Sequence, residues 1–268
     1  MPPLRHAFIT GGSRGIGLSI AHLLARHSFR CTLVARSETA LSAAVASLPS
    51  SQPRHKYIVG DVSKQSFWTS PVLGDALPRP TQKQQRGQID VLVNCAGVSQ
   101  EKVFARTSAE ELQSVVATNL TGLMMGTRFL LRQGYIQGGG KGEREAELED
   151  WAGGPFSPVI INVASLLGLK GGYGAAAYAA SKAGVLGFTR ALATETGSQG
   201  LRVNAIVPGY INTDMTSTGA IDRKSLLQKI PLQRFGNPEE IASAALFLTQ
   251  NQYAHNCVIN LDGGLSAV

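Results

Sequence analysis

Tyr178 and Lys182 stand four residues apart in the run Tyr178-Ala179-Ala180-Ser181-Lys182. In a helix that spacing puts both side chains on one face, a turn apart. A tyrosine hydroxyl with an ordinary pKa near ~10 exchanges protons poorly at neutral pH, and a neighbouring ammonium favours its phenolate. Ser165 ends the run Asn162-Val163-Ala164-Ser165. A hydroxyl at the carboxyl end of a parallel strand points into the crevice where such sheets bind ligands. Asn119, in Ala117-Thr118-Asn119-Leu120, belongs to another helical stretch. Taken singly these residues are ordinary. A Tyr/Lys pair at this spacing is usually a surface pair, and an asparagine in a helix is usually structural.

A second group of residues suits an anionic cofactor. Thr10-Gly11-Gly12-Ser13-Arg14-Gly15-Ile16-Gly17 follows an apolar run and opens a helical one. Gly11, Gly15 and Gly17 permit a tight turn and let the backbone approach a pyrophosphate, which the free N–H groups of the helix start then bind. After the second apolar run stand Ala35 and Arg36, with no acid to accept a ribose 2′-hydroxyl. Arg14 and Arg36 together suit a 2′-phosphate, so NADP(H) is the expected cofactor. Asp61 and Val62 are expected at the adenine edge. Asn94-Cys95-Ala96-Gly97 offers small residues where the backbone must lie against the cofactor.

The elements that must position these groups are legible as alternating apolar runs and helical periods. Strands are predicted at 6–10, 31–35, 56–60, 89–94, 159–163, 202–207 and 258–261. Helices are predicted at 16–26, 38–48, 109–132, 175–196, 225–229 and 238–249. Runs apolar on both faces, separated by helices, mean a parallel sheet covered on both sides. The expected fold class is α/β: a single-domain Rossmann fold over residues 1–268 with a doubly wound, seven-stranded parallel sheet. Two segments, 70–88 and 137–158, break the rhythm and read as surface loops. In the second, Lys141 and Arg144 oppose Glu143, Glu145, Glu147, Glu149 and Asp150, a net −3.

Composition narrows the function classes. The 268 residues carry 25 Lys and Arg against 18 Asp and Glu, a net +7. That balance favours anionic partners. No run of five basic residues occurs, so nucleic acid is not expected. Cys31, Cys95 and Cys257 lie in apolar surroundings outside any CxxC pair and read as buried free thiols. The five histidines, His6, His22, His27, His55 and His255, show no metal-binding spacing. No apolar stretch is long enough to span a membrane. The first strand begins near residue 5, which leaves little room for a conventional cleavable presequence.

The chain resembles the classical short-chain dehydrogenase/reductase family over nearly its whole length. The resemblance rests on the run from Thr10 to Gly17, Asp61-Val62, Asn94-Cys95-Ala96-Gly97, Asn119, Ser165, Tyr178 with Lys182, and Pro208-Gly209. The stretches 188–192, 202–216 and 230–242 are similar to the 3-oxoacyl-[acyl-carrier-protein] reductases. Residues 94–108 are similar to fungal mitochondrial members and a related mitochondrial carbonyl reductase. The resemblance implies that Tyr178 donates a proton to a carbonyl oxygen as hydride arrives from NADPH. It implies that Ser165 hydrogen-bonds that oxygen, and that Lys182 lowers the tyrosine pKa and holds the nicotinamide ribose. Asn119 would hold a water that returns the proton through Lys182. Pro208, Gly209, Ile211 and Thr213 would meet the nicotinamide carboxamide. It also implies a homotetramer built on the 109–132 and 175–196 helices.

The expected activity is therefore NADPH-dependent reduction of a 3-oxoacyl thioester, on an acyl carrier protein, in fatty acid synthesis. The rival reactions are reduction of a quinone, polyketide or small ketone. A non-catalytic NADP-binding regulator is the rival from another class. The expected location is the mitochondrial matrix or the cytoplasm. Three departures bear on the substrate. The 137–158 segment replaces a short basic turn, Gln199 stands where a basic residue is usual, and 253–256 reads Tyr253-Ala254-His255-Asn256. The first two remove cations expected to greet an acidic carrier, which leaves Arg128 and Arg132 as candidates for that contact.

Overall fold

The computed structural model describes residues 5–51, 53–77, 89–100, 102–138, 156–217 and 223–268. Seven strands form one parallel sheet: β1 (Arg5–Thr10), β2 (Phe29–Ala35), β3 (Lys56–Val59), β4 (Val91–Asn94), β5 (Val159–Val163), β6 (Arg202–Pro208) and β7 (Val258–Leu261). Their spatial order is β3-β2-β1-β4-β5-β6-β7. The chain reverses direction of winding between β1 and β4, where Thr10 pairs with Asn94 at the carboxyl ends. Sheets of this kind open a ligand crevice at that point.

The helices are α1 (Gly15–Arg26), α2 (Glu38–Ser47), α3 (Gln65–Trp68), α4 (Pro71–Ala76), α5 (Ala109–Val116), α6 (Gly122–Arg132), α7 (Leu167–Lys170), α8 (Ala176–Thr196), α9 (Asp214–Ser217), α10 (Arg223–Lys229) and α11 (Pro238–Gln250). They cover both sheet faces. On one, Ile9, Leu33, Val93 and Ile161 pack with Ile20 and Leu24 of α1 and Ile241 and Leu248 of α11. On the other, Phe8, Val34, Leu92 and Ile160 pack with Leu130 of α6 and Leu192 of α8. Successive residues of a strand thus enter opposite cores, which is why these runs show no polar alternation.

The predicted helix 109–132 is divided. Between α5 and α6 the residues Ala117–Thr121 form a π-helical turn around Asn119. Such a turn adds a residue to the helix and re-aims a side chain, a change that hydrophobic periodicity does not register. The loop predicted from residue 70 begins instead with α4, and the preceding short helix α3 was not expected. Ile89 leaves the predicted fourth strand because its N–H donates to the Tyr135 carbonyl at 2.8 Å. The other boundaries shift by a residue or two. Residues 78–88 and 139–155 of the two predicted loops lie outside the described residues.

The flanks of the 137–158 segment sit at the amino-terminal edge of the sheet. Phe156 and Ser157 lead directly into β5. A β-carbon on Gly138 would fall 1.7 Å from the Gln199 carbonyl, which places Gly138 against the turn before β6. The ligand crevice is at the opposite edge. Neither Gln199 nor the flanks of the insertion overlook it, so the cation expected to be missing at position 199 is missing away from the crevice. Arg132, the last residue of α6, leads to the same amino-terminal edge through Tyr135. The unusual stretch 253–256 has a packing role. His255 Nδ1 accepts the Val203 N–H at 3.1 Å, and its Nε2 lies 2.9 Å from the Ala193 carbonyl.

Arg202 organises that edge from within. It is buried, and its guanidinium donates to the carbonyls of Leu248, Thr249, Asn251, Ala254 and Ser157 at 2.5–3.3 Å. It closes the carboxyl end of α11, where a helix has orphan carbonyls and a partial negative charge. Arg202→Met keeps the stem and orphans these acceptors. Each buried acceptor left unpaired costs ~1–3 kcal/mol, so the variant should lose at least about 3 kcal/mol. Urea unfolding at constant m-value checks this, and a shift below about 1 kcal/mol would contradict it.

Candidate active site

A cavity of about 840 Å³ opens where the loops after β1 and β4 part. Gly11, Ser13, Arg14, Gly15, Ile16 and Gly17 form one side. Gly11 has φ +69°, and a β-carbon there would fall 2.8 Å from the Ala96 backbone. A β-carbon on Gly17 would fall 2.3 Å from the Gly11 carbonyl. Only hydrogen fits at either place, so the loop lies flat against both its own helix and the neighbouring strand end. Thr10 ties those ends together: its Oγ1 accepts the N–H groups of Cys95 and Ala96 at 3.2 and 3.3 Å. Arg14 precedes α1 without a side-chain cap, and the first turn of α1 carries no acid. That cradle fits a pyrophosphate, which binds at a helix start through free N–H groups and the positive end of the dipole.

Arg36, Asp61 and Val62 line the far end of the cavity. Burial raises the Asp61 pKa, but hydrogen bonds from Ser63 and the charges of Arg36 and Lys64 outweigh it, and the carboxyl ends below its usual range. Arg14 also lines the cavity, and its guanidinium meets the Asp214 carboxylate at 3.3 Å with both side chains about three-quarters exposed. An exposed pair of that kind holds weakly, so an anion can replace the carboxylate. Pro208, Gly209, Ile211 and Thr213 border the other end. Their segment is pinned by Gly236, whose N–H donates to the Tyr210 carbonyl at 2.9 Å and whose carbonyl accepts the Asn212 N–H at 2.8 Å.

Ser165 and Tyr178 line the cavity together, with the Ser165 hydroxyl near enough to the Tyr178 phenol to act on its titration. Ser165 Oγ accepts the Leu167 N–H at 3.2 Å. Burial pushes the Tyr178 pKa up, the nearby Ser165 hydroxyl draws it partly back, and Cys95 adds a smaller upward push. Lys182 Nζ lies 5.9 Å from the Tyr178 ring centre and is itself buried, donating to the Val163 carbonyl at 2.7 Å. Burial lowers the Lys182 pKa to about 8, so its positive charge is only partial at mildly alkaline pH. A tyrosine kept neutral is in the form that can give up a proton.

Three of the expected residues do not form the cavity wall. Lys182 and Asn119 stand behind Gly97, 3.6 and 3.3 Å from where its β-carbon would be. Both side-chain donors of Asn119 are engaged. Its Oδ1 accepts the Val98 N–H at 2.8 Å, and its Nδ2 donates to the Val98 carbonyl and Ser181 Oγ at 3.0 and 3.1 Å. It fastens the loop after β4, which leaves none of its side-chain donors for the expected water. Asn94 lies deeper in a buried chain: Nδ2 donates to Thr127 Oγ1 and Asn162 Oδ1, and Asn162 Nδ2 donates to Thr189 Oγ1. Its side chain secures β4 to β5 and the helices behind them, whereas Ala96 and Gly97 do reach the cavity.

Other wall residues carried no local signal in the sequence: Leu166, Leu167, Tyr210, Met215 and Thr216. They make the end beside Ser165 and Tyr178 largely apolar. Cys95 is half-buried at the wall rather than in the core, and burial pushes its thiol up to about 11, which keeps it unreactive. Cys257 is also only half-buried, while Cys31 is buried as expected.

Residues 5–143 match a family model described as short chain dehydrogenase, and residues 152–266 match one described as Enoyl-(Acyl carrier protein) reductase. The chain is a short-chain dehydrogenase/reductase. As such it is a nicotinamide-dependent oxidoreductase on a Rossmann-type fold. It is 37% identical over 267 residues to a 3-oxoacyl-[acyl-carrier-protein] reductase of Chlamydia muridarum, covering 97% of this chain and 96% of that one. It is 34% identical over 260 residues to a human 3-oxoacyl-[acyl-carrier-protein] reductase, covering 97% of each. It is 34% identical over 257 residues to carbonyl reductase family member 4 of Xenopus tropicalis, covering 96% of each.

The buried lysine of this short-chain dehydrogenase/reductase makes stability depend on pH. Its folded pKa, about 8, is below its ordinary value of 10.5. Between those values the unfolded chain holds more protons, so stability rises with pH and the penalty is fully present below about 8. Lys182→Met should therefore stabilise the cofactor-free protein at pH 7, by about 1–2 kcal/mol once the orphaned Val163 carbonyl is set against the relieved burial. The advantage should shrink as pH approaches 10. Paired urea titrations at pH 7 and pH 10 test the sign, and an advantage that grows with pH would refute it.

Proposed function

We propose that this enzyme uses NADPH to reduce the 3-oxo group of an acyl thioester to the 3-hydroxyacyl product. The observation that carries the reading is Tyr178 and Ser165 lining one cavity, set between the glycine cradle and the apolar wall of Leu166, Leu167, Tyr210 and Met215. NADPH, which the glycine cradle with Arg14 and Arg36 would hold, would supply a hydride for the carbonyl carbon. Tyr178 Oη gives its proton to the carbonyl oxygen, and Ser165 Oγ donates a hydrogen bond to the same oxygen as charge develops there. Lys182 Nζ donates to the Val163 carbonyl behind Gly97 and holds a positive charge near the forming phenolate. The apolar wall suits an acyl chain, and relatives named 3-oxoacyl-[acyl-carrier-protein] reductase support the thioester class.

The preference for NADPH rests on Arg36 and Arg14 at the cavity and on the lack of an acid at position 36. An acyl carrier protein is the proposed donor of the thioester in fatty acid synthesis, attracted at long range by the basic balance of the chain. A homotetramer is part of the same reading, with the exposed Met124 of α6 among the residues at its interfaces. A second reading, reduction of non-thioester ketones, is favoured by the relatives named carbonyl reductase. Steady-state rates with an acetoacetyl thioester, a quinone and a small ketone decide between the two. A regulator without activity would oxidise no NADPH with any of them.

Tyr178→Phe removes the acidic hydroxyl and leaves the ring. NADPH should bind as before while kcat falls at least about 10²-fold, the scale of one general acid. A variant retaining more than a tenth of the wild-type kcat would exclude Tyr178 as the acid. Arg36→Asp should repel a 2′-phosphate and accept a 2′-hydroxyl. Loss of one charge-assisted contact is worth ~1.5–3 kcal/mol, so the ratio of kcat/KM for NADPH over NADH should fall at least about tenfold. An unchanged ratio would remove Arg36 from the cofactor site.

A further inference from the structure

The peptide groups around Tyr178 are held from two sides by one segment of the cavity wall. Ala175, the residue before α8, offers a methyl group where a helix start usually has a side-chain acceptor, and it caps nothing. Gln100 supplies the acceptor from 77 positions away: its Oε1 takes the N–H of Ala177 at 2.8 Å and that of Tyr178 at 3.3 Å. Its Nε2 donates to the Lys102 carbonyl at 2.7 Å and to Thr107 Oγ1 at 3.1 Å, so the partners settle which way the amide faces. From the other side, Ser181 Oγ donates to the Tyr178 carbonyl at 2.7 Å and accepts Asn119 Nδ2. Asn119 in turn grips Val98 by both its N–H and its carbonyl. Both grips lead back to residues 98–100, and Val98 and Ser99 line the cavity.

We propose that Gln100 is a positioning residue, which sets the Tyr178 hydroxyl against Ser165 by fixing the first turn of α8 to the cavity wall. A serine at position 175 would cap the same helix locally. A glutamine reaching from the loop after β4 caps it only while that loop is in place, so the register of Tyr178 follows the wall. The role rests on Tyr178 acting as the acid. Small displacements of such a group from its reacting geometry cost rate far more than they cost binding.

The test compares Gln100→Met, which keeps length and removes all four bonds, with Gln100→Glu, which keeps the acceptor toward Ala177 and Tyr178. Both are measured with NADPH against an acetoacetyl thioester and a small ketone at 15 °C, with NADPH affinity read by fluorescence. Gln100→Met should lower kcat on both substrates by at least about tenfold while NADPH affinity stays within about twofold. Its pH–rate profile should extend to higher pH, because a displaced Tyr178 loses part of the downward pull that the nearby Ser165 hydroxyl exerts on its pKa. Gln100→Glu should retain kcat within about threefold. Should Gln100→Met not fold, Thr107→Val removes one anchor of the amide and should lower kcat by about threefold at unchanged NADPH affinity. Wild-type kcat in Gln100→Met, or in Thr107→Val where that variant replaces it, overturns the role. So does a Gln100→Glu loss as deep as that of Gln100→Met, or a parallel loss of NADPH affinity. A wild-type protein inert toward every carbonyl removes the proposed reaction and this role together. An active wild type with an indifferent Gln100→Met removes this role alone.

Discussion

The site depends on backbone meeting backbone at the point where the winding of the sheet reverses. The loop after β1 lies on the loop after β4 with room for only a hydrogen at Gly11, and α1 starts against that same loop with room for only a hydrogen at Gly17. Thr10 adds the polar half of the contact by accepting two N–H groups from the other strand end. With the two loops so fixed, the helix start, the strand ends and residues 95–99 all face one cavity. A larger side chain at position 11 would push the loops apart and separate the anion cradle from the Tyr178–Ser165 pair.

Around that contact the protein accepts burial that works against its own stability. Lys182 is an ammonium with 4% exposure and one carbonyl partner, and desolvation lowers its pKa. Tyr178 is pushed the other way by the same burial. Burial thus acts in opposite senses on one group at the cavity and one just behind its wall, a pattern that clusters at functional sites. The surrounding polar chain Asn94–Asn162–Thr189 and the Asn119–Val98 clasp are, by contrast, well hydrogen-bonded. Buried networks of that kind specify one arrangement, and here they hold the loop after β4 beside Tyr178 and Ser165.

The polarity of a parallel sheet also separates what can vary from what cannot. All strands point their carboxyl ends at the cavity. Position 138, the turn at 197–199, the Arg202 cluster and His255 gather at the other edge. The flanks of the 137–158 segment, Gln199 and the stretch 253–256 all lie there. A change at the amino-terminal edge is absorbed by local packing, as His255 illustrates by taking the Val203 N–H, and it reaches the site only through the rigid strands between.

By itself the sequence determined the strands, the major helices and the cofactor loop. Strands buried on both faces and glycines forced by close approach leave marks within a few neighbouring residues. The Tyr178–Lys182 spacing and the placement of Ser165 at a strand end were legible for the same reason. Only the tertiary structure decided what depended on distant partners. It turned Asn94 inward to Asn162, placed the π turn at Asn119, brought Gln100 to the start of α8 and put Gly138 at the far edge. Periodicity and spacing are local properties of a chain. A hydrogen bond between residues 77 apart, or the pKa of a lysine that becomes buried, is set by which elements meet, and that follows from packing the whole sheet.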